Sequence, residues 1–199
     1  MSRSTTQGPR PPVRQRILDA ADELFYAEGI ASTGVDAVLE RAGVAIGSLY
    51  SHFGGKDGLV LAYLQAREDR WREVWDAEVE RHDDQRERVL AVFDAQTRWL
   101  GTTRCDHGCA HASAIAQLGD GDPARDAALG HKRAVRMRLR GLVQQVDDCA
   151  LLSPADLVEL VDDLVLLHEG AMVALAVGHV ADPVGRARRL AAALLDRPR

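Results

Sequence analysis

The chain has little of what marks a secreted, membrane-bound or disulfide-stapled protein. Its 199 residues include three cysteines, an odd number that cannot complete a disulfide framework, so thiols are expected. No stretch approaches the roughly 18 consecutive apolar residues of a membrane helix, and the opening MSRSTTQGPRPPVRQR lacks the apolar core of a signal peptide. A cytoplasmic location with no membrane attachment is therefore expected. Catalytic signatures are missing as well: HExxH, GxSxG and CxxC do not occur. Gly119-x-Gly121-x-x-Ala124 resembles a relaxed dinucleotide fingerprint, but it contains Pro123 and follows an expected helix instead of a strand. Gly55-Lys56 has no glycine five residues earlier and no Ser or Thr after it, so it is not a phosphate loop. The sequence thus points to no enzyme activity and no cofactor.

A hydrophobic content of 46% is enough for a packed core and excludes general disorder. The net charge of −5 argues against general coating of nucleic acid, yet it conceals an uneven distribution. Residues 1–16 hold Arg3, Arg10, Arg14 and Arg16 and no acid, whereas residues 17–66 hold only Arg41 and Lys56 against seven acids. A basic arm on an acidic body suits an anionic partner bound at one end; it equally describes a solvated tail.

Helix punctuation recurs and alternating strand patterns do not, so an all-α fold of about nine helices is expected. After Pro11 and Pro12, the positions Ile17, Ala21, Leu24 and Phe25 form one helical face that Gly29 can end in left-handed conformation. Thr33 can cap a short second helix, Ala42-Gly43-Val44 breaks it, and a third runs from about Ala45 to His52. A long fourth helix starts near Asp57 and reaches about Arg81. A helix over 105–118 is expected after a loop. Three later starts share an Asx or Ser cap followed by proline: Asp122-Pro123, Ser153-Pro154 and Asp182-Pro183. The helix opened at Ser153 is so rich in Leu, Val, Ala and Met that the core or a second subunit must cover it.

Residues 29–59 carry the most information. They have the anatomy of a helix-turn-helix: two short helices about a glycine turn, the second able to enter a major groove about 12 Å wide. Val35, Val38, Leu39, Val44, Leu49 and Phe53 supply the inward face, leaving Ala45, Ile46, Gly47, Ser48, Ser51 and His52 outward with Tyr50 at the edge. An ordinary pair of core helices would share the turn pattern.

The segment resembles the tetracycline-repressor (TetR) family of bacterial transcription regulators. The matching elements are Ile17 to Phe25 then Gly29, Thr33 with Val35, Ala42-Gly43-Val44, and Gly47-Ser48-Leu49-Tyr50 followed by His52-Phe53, Lys56 and Leu59. The resemblance is close over residues 14–64; Gly108-Cys109, Leu164 to Val177, Pro183 and Leu190 to Leu195 look more loosely like the family's C-terminal domains. It implies a basic arm over 1–12, a DNA-binding helix-turn-helix over 13–58, and a helical effector-binding and dimerisation domain over 59–199. By the same resemblance the partners are double-stranded operator DNA, a second copy of the chain and a small-molecule inducer, with the fourth helix as lever between the domains. Tyr50 and Lys56 correspond to phosphate contacts, Thr33 to the cap of the second helix, and Ser48, Ser51 and His52 to groove contacts, with Arg10 and Arg14 in or beside the arm. The sequence departs from the family at Ala45, where a capping Ser is common, at Ile46, where Lys or Arg often reaches DNA, and at Gly34. Ile46 can instead touch a thymine methyl.

For the effector, Trp71, Trp75, Phe93, Trp99, Cys109, Met137, His168 and Met172 are candidates for an apolar cavity, although large apolar residues at helical spacing also describe ordinary core. His168 and Glu169 interrupt an apolar run and need partners. One competing signal remains, Cys105, His107, Cys109 and His111, four metal-ligand types in seven residues. The alternative it raises is a small helical metal- or redox-sensing protein. On a helix Cys105 and Cys109 would share a face while His107 and His111 point away, so no metal ligand set is assigned.

Overall fold

The computed structural model describes residues 10–102 and 107–196. Among them are nine α-helices, one 3-10 turn over Asp147–Cys149 and no strand. The helices are α1 (Val13–Glu28), α2 (Val35–Ala42), α3 (Ile46–Phe53), α4 (Lys56–Glu80), α5 (Gln85–Thr102), α6 (Ala110–Gln117), α7 (Pro123–Val143), α8 (Pro154–Val177) and α9 (Pro183–Leu195).

All three Asx/Ser-Pro starts behave as expected. The Asp122 carboxylate accepts from the amides of Ala124 and Arg125, the Ser153 hydroxyl from Asp156, and Asp182 from Gly185. Each cap satisfies an amide that the first helical turn cannot pair internally. Asp182 does so from a left-handed backbone, φ 48 and ψ 57. Gly29 has a positive φ of 92 but an extended ψ of 151, so it ends α1 without the expected left-handed cap. The expected helix over 105–118 starts only at Ala110, and residues 103–106 lie outside the described part.

The chain divides into two units between Tyr63 and Leu64, within α4. In the first, α1 packs on both α2 and α3 around Ile17, Ala21, Phe25, Val38 and Leu49, all at most 3% exposed, and Phe25 meets Tyr63 edge-on at 5.6 Å. Gly43 takes the left-handed conformation, φ 64 and ψ 50, and its amide bonds back into α2 while that of Val44 reaches Leu39. This arrangement pairs the last carbonyls of α2 and sends the chain directly into α3. Arg16 adds a guanidinium on the carbonyl oxygens of Ala42 at 3.1 Å and Gly43 at 3.4 Å, a cation at the negative end of α2.

In the second unit α5 packs on α7 and α9, α8 on α7 and α9, and α6 on α7. A continuous apolar core includes Trp71, Trp75, Val89, Phe93, Leu139, Leu160 and Leu164. Arg188 of α9 fastens that helix to α5 through Asp94 at 2.9 Å and Glu87 at 2.5 Å, and Arg86 reaches the Leu195 carbonyl at 2.6 Å. Not all of α8 is covered: Leu166, Val173 and Val177, which share a face, are 62–69% exposed, and Leu190 on α9 is 57% exposed. No helix of the described residues is long and apolar enough to cross a membrane.

Gly58, in the first turn of α4, is held by contact. A Cβ there would lie 1.9 Å from the Phe53 carbonyl oxygen. Alanine within a helix ordinarily stabilises by about 0.5–1 kcal/mol relative to glycine; here the sign is expected to reverse. Gly58→Ala should destabilise by at least about 2 kcal/mol, measured by chemical denaturation; an unchanged or raised stability would show that the α3–α4 turn yields freely.

Candidate functional sites

The first unit presents α3 outward. Ala45, Ile46, Gly47, Tyr50, Ser51 and His52 are exposed, Ser48 is half-buried, and Leu49 alone on this helix is fully inside. Ala45 occupies the N-cap position with extended backbone and gives no side-chain bond, so the first amides of α3 lack the cap that Ser would supply. The Ser51 hydroxyl donates to the Ser48 carbonyl at 3.1 Å. Beside this face, Arg14 lies over the Phe53 ring at 5.2 Å, Lys56 is half-buried at the start of α4, and Arg10 is exposed. Arg41 is engaged elsewhere, by a two-pronged ion pair with Glu23. Thr33 departs from expectation. Gly34, not Thr33, is the N-cap of α2, and the Thr33 hydroxyl, 1% exposed, donates to the carbonyls of Gly29 at 2.7 Å and Leu24 at 3.3 Å. Its role is to hold the α1–α2 turn closed, because a buried hydroxyl needs a partner and two carbonyls at the end of α1 offer one.

The second unit encloses a cavity of about 50 Å³. Trp71, Trp99, Cys109, His168 and Met172 line it, as expected from the sequence. Trp71 is the hub of an aromatic cluster, with ring centroids 5.9 Å from Trp75, 6.0 Å from Trp99 and 5.8 Å from His168. Three expected lining residues lie elsewhere. Phe93 is fully buried behind His168, Trp75 belongs to the core with Arg138 stacked 4.2 Å over its ring, and Met137 is 71% exposed. On α7 the buried stripe is His131, Val135, Leu139 and Leu142, at spacings of four, four and three, and Met137 falls on the opposite side.

Polar groups absent from the sequence-based list complete the cavity: Arg67, Gln96, His111, His131, Lys132 and Glu169. Lys132 donates to both Glu169 oxygens at 2.7 Å and to Cys109 Sγ at 3.2 Å, the partner that the polar break in α8 required. Gln96 donates to the His168 carbonyl at 3.0 Å. His131 Nδ1 bonds the Glu68 carboxylate, His111 Nε2 donates to the Leu64 carbonyl at 3.2 Å, and the two imidazoles stack 3.9 Å apart. Three buried polar atoms of the lining find no protein partner: Trp71 Nε1, Gln96 Oε1 and His168 Nδ1. Such atoms are costly unless something in the cavity bonds them.

Residues 17–63 match the family of bacterial regulatory proteins named for the tetracycline repressor, tetR, and residues 85–191 match the tetracyclin repressor-like C-terminal domain. The second match alone covers more than half of the chain. The chain belongs to the TetR family. A TetR-family transcriptional regulator from Streptomyces coelicolor superposes with a TM-score of 0.76 at 29% identity, over 92% of each chain. Among curated regulators, SrpR of Pseudomonas putida is 44% identical over 55 residues, 28% of this chain and 26% of that protein. The transcriptional activator FasR of Mycolicibacterium smegmatis is 36% identical over 87 residues, 44% of this chain and 40% of that protein. The chain thus spans well under half the length of these curated relatives.

Membership of the TetR family leaves no support for a metal- or redox-sensing protein in place of a regulator. Of the four donors on which that alternative stood, His107 is exposed, Cys109 and His111 line the cavity, and Cys105 lies outside the described residues. The surroundings of Cys109 are unusual. Burial alone would raise its thiol, but hydrogen bonds with His111 and His131 and the charge of Lys132 outweigh it and hold the thiol well below its ordinary value. Bonding to His131 likewise pulls Glu68 down to about 2, against the opposing effect of its burial.

His168 is pushed from 6.5 down to about 3, first by burial and then by the positive charges of Lys132 and His131. The unfolded chain therefore takes up this proton below about pH 6.5 while the folded chain resists until about 3. Stability falls as pH drops through that window, by up to about 1.4 kcal/mol per pH unit. His168→Leu should flatten the decline between pH 6.5 and 4.5 relative to the parent protein, followed by urea denaturation at each pH. An identical slope in both would refute the assignment.

Proposed function

We propose that the protein is a homodimeric transcriptional regulator that reads an inverted-repeat operator through α3 and is released from it by an effector bound in the second unit. The observation that carries the DNA reading is the outward face of α3: Ile46, Gly47, Tyr50, Ser51 and His52 exposed on a helix anchored by Leu49, with Lys56 following. Small residues at 45, 47 and 48 permit close approach to base edges, and the exposed Ile46 offers an apolar surface suited to a thymine methyl. Lys56, Tyr50, Arg10 and Arg14 serve phosphates, where each charge contributes affinity that is lost with salt. On this reading residues 13–58 form the DNA-binding domain, residues 59–199 the effector and dimerisation domain, and the protein works in the cytoplasm.

The exposed stripe of Leu166, Val173 and Val177 on α8, with Leu190 on α9, supports the second copy. Isolated exposed apolar residues are ordinary, but three on one face of α8 and another on α9, which packs on α8, fit a self-complementary two-fold interface. Release by effector follows from linkage: a ligand that prefers one conformation of the second unit lowers operator affinity by its differential affinity, typically about 1–3 kcal/mol. Helix α4 contributes residues 56–63 to one unit and 64–80 to the other, which makes it the lever. Repression is the sign of regulation we favour, although FasR is named as an activator.

Selection from a random duplex library by the purified protein is expected to recover an inverted repeat with half-sites about 34 Å apart. Lys56→Ala removes one phosphate contact from each subunit and should lower the slope of log affinity against log salt by about 1.8 per dimer with sequence preference retained. Absence of any enriched sequence at low salt would count against the reading. For the interface, the double variant Leu166→Glu with Val173→Glu should sediment as a monomer and lose operator affinity; a dimer that survives both changes would place the contact elsewhere.

A further inference from the structure

The effector cavity contains a nucleophile as well as binding groups. Cys109 is half-buried in its lining, with Sγ 3.2 Å from the Lys132 ammonium and within 4.8 Å of a ring nitrogen of His111 and of His131. We infer that Cys109, paired with the Lys132 ammonium, is a covalent modification site for small α,β-unsaturated carbonyl compounds that enter the cavity. The inference deepens the effector reading, on which any consequence for operator binding rests; the bond to sulfur forms or fails independently of DNA.

A cysteine attacks carbon as its thiolate, and reactive cysteines are those in electropositive, partly accessible surroundings. Cys109 meets both conditions. Burial opposes a charge on Lys132, but the charges of Cys109 and Glu169 outweigh it and raise its pKa, so the cation beside the sulfur persists at neutral pH. His131 is likewise opposed by burial, yet its bonds with Cys109 and Glu68 raise it and add a second positive group. His111, lowered chiefly by burial, is neutral. With Arg67 in the same lining, three cations face the carboxylates of Glu169 and Glu68, and a thiolate completes the balance. Cys149 has the opposite setting, 6% exposed within the apolar core, where a charged sulfur is disfavoured.

Size and polarity select the electrophile. A volume of about 50 Å³ holds about four water-sized spheres, which suits a molecule of a few non-hydrogen atoms and not an extended one. Trp71, Trp99 and Met172 give the cavity apolar walls. Trp71 is only 9% exposed, and its Nε1–H, which can only donate, finds no acceptor in the protein. A carbonyl oxygen is such an acceptor, and a hydrogen bond to it strengthens as negative charge develops there. Gln96 Oε1 and His168 Nδ1 of the same lining also lack a protein partner, so the cavity is made for a guest with a polar group and not for hydrocarbon alone. A small planar enal or enone answers these features together: a flat apolar body, a carbonyl oxygen, and an electron-poor carbon for the sulfur.

In the step, the sulfur lone pair forms a bond to the β-carbon, the α,β π bond breaks, and its electrons pass to the carbonyl oxygen as an enolate. A proton from solvent then adds at the α-carbon, leaving a neutral thioether and an intact carbonyl; no oxidant or reductant takes part. Lys132 thereby loses an anionic partner and keeps Glu169. The test uses the full-length reduced protein and equimolar acrolein, with adducts located by peptide mass. The first adduct is expected on Cys109, and Cys109→Ser should lose it while Cys105→Ser keeps it. Between pH 8.5 and 6.5 the rate at Cys109 should fall less than about threefold, whereas an ordinary thiol of pKa about 8.5 slows by about 50-fold. Lys132→Gln, with far-UV circular dichroism unchanged, should slow the reaction at pH 6.5 by at least about tenfold, and Lys132→Arg should restore it. A first adduct on another cysteine, on Lys132 or on a histidine, or the pH dependence of an ordinary thiol at Cys109, would each overturn the assignment. Operator affinity of the adduct is a separate readout, so failure of the regulator reading and failure of the modification site are distinguishable.

Discussion

An α-helix leaves its first amides and last carbonyls unpaired, and this protein's architecture depends on how those ends are met. Within each unit several helices stop where some residue can satisfy their ends: carboxylates and a hydroxyl at 122, 153 and 182, a left-handed glycine at 43, and the Arg16 guanidinium on the carbonyls that close α2. Helix lengths set in this way determine which faces meet. The two short helices α2 and α3 are the clearest case, because their brevity lets α3 keep one residue, Leu49, fully inside and turn most of the others out.

The second unit obeys a different constraint. Its interior contains Arg67, Glu78, Gln96, His111, His131 and His168, all at most 8% exposed. Buried groups of this kind need partners, and several of them find one across helices. Glu68 on α4 binds His131 on α7; Lys132 on α7 binds Glu169 on α8; Gln96 on α5 binds the α8 carbonyl at His168. The polar interior therefore cross-links α4, α5, α7 and α8 around one cavity, and a ligand that repositions one of these groups is felt by several helices at once.

This contrast also explains what could be read from the sequence. Caps and turns are local, so Asp122-Pro123, Ser153-Pro154, Asp182-Pro183 and the Gly43 turn were legible, and with them the helix count and the outward face of α3. The partnerships of the cavity join residues 23 to 72 positions apart and leave no local signature. Some clues were nonetheless present. His131 stands in register with Val135, Leu139 and Leu142 on the buried stripe of α7, and Lys132 is one of only two lysines in the chain. Met137 was misplaced because its hydrophobicity was weighed without that register. Thr33 was misplaced because a hydroxyl before a helix resembles a cap, whereas the end of α1 supplied nearer carbonyls.

All three tryptophans of the chain, Trp71, Trp75 and Trp99, lie in the second unit, the outer two each about 6 Å from Trp71. Trp71 and Trp99 line the cavity, and His168 stands against the Trp71 ring. Indole emission from this protein consequently originates in one place. It reports on whatever enters beside Trp71, and on the protonation of the neighbouring histidine, without any attached dye. The unit that carries α3 contributes no indole signal of its own, so a change in tryptophan fluorescence on adding DNA would be a message received at the effector cavity.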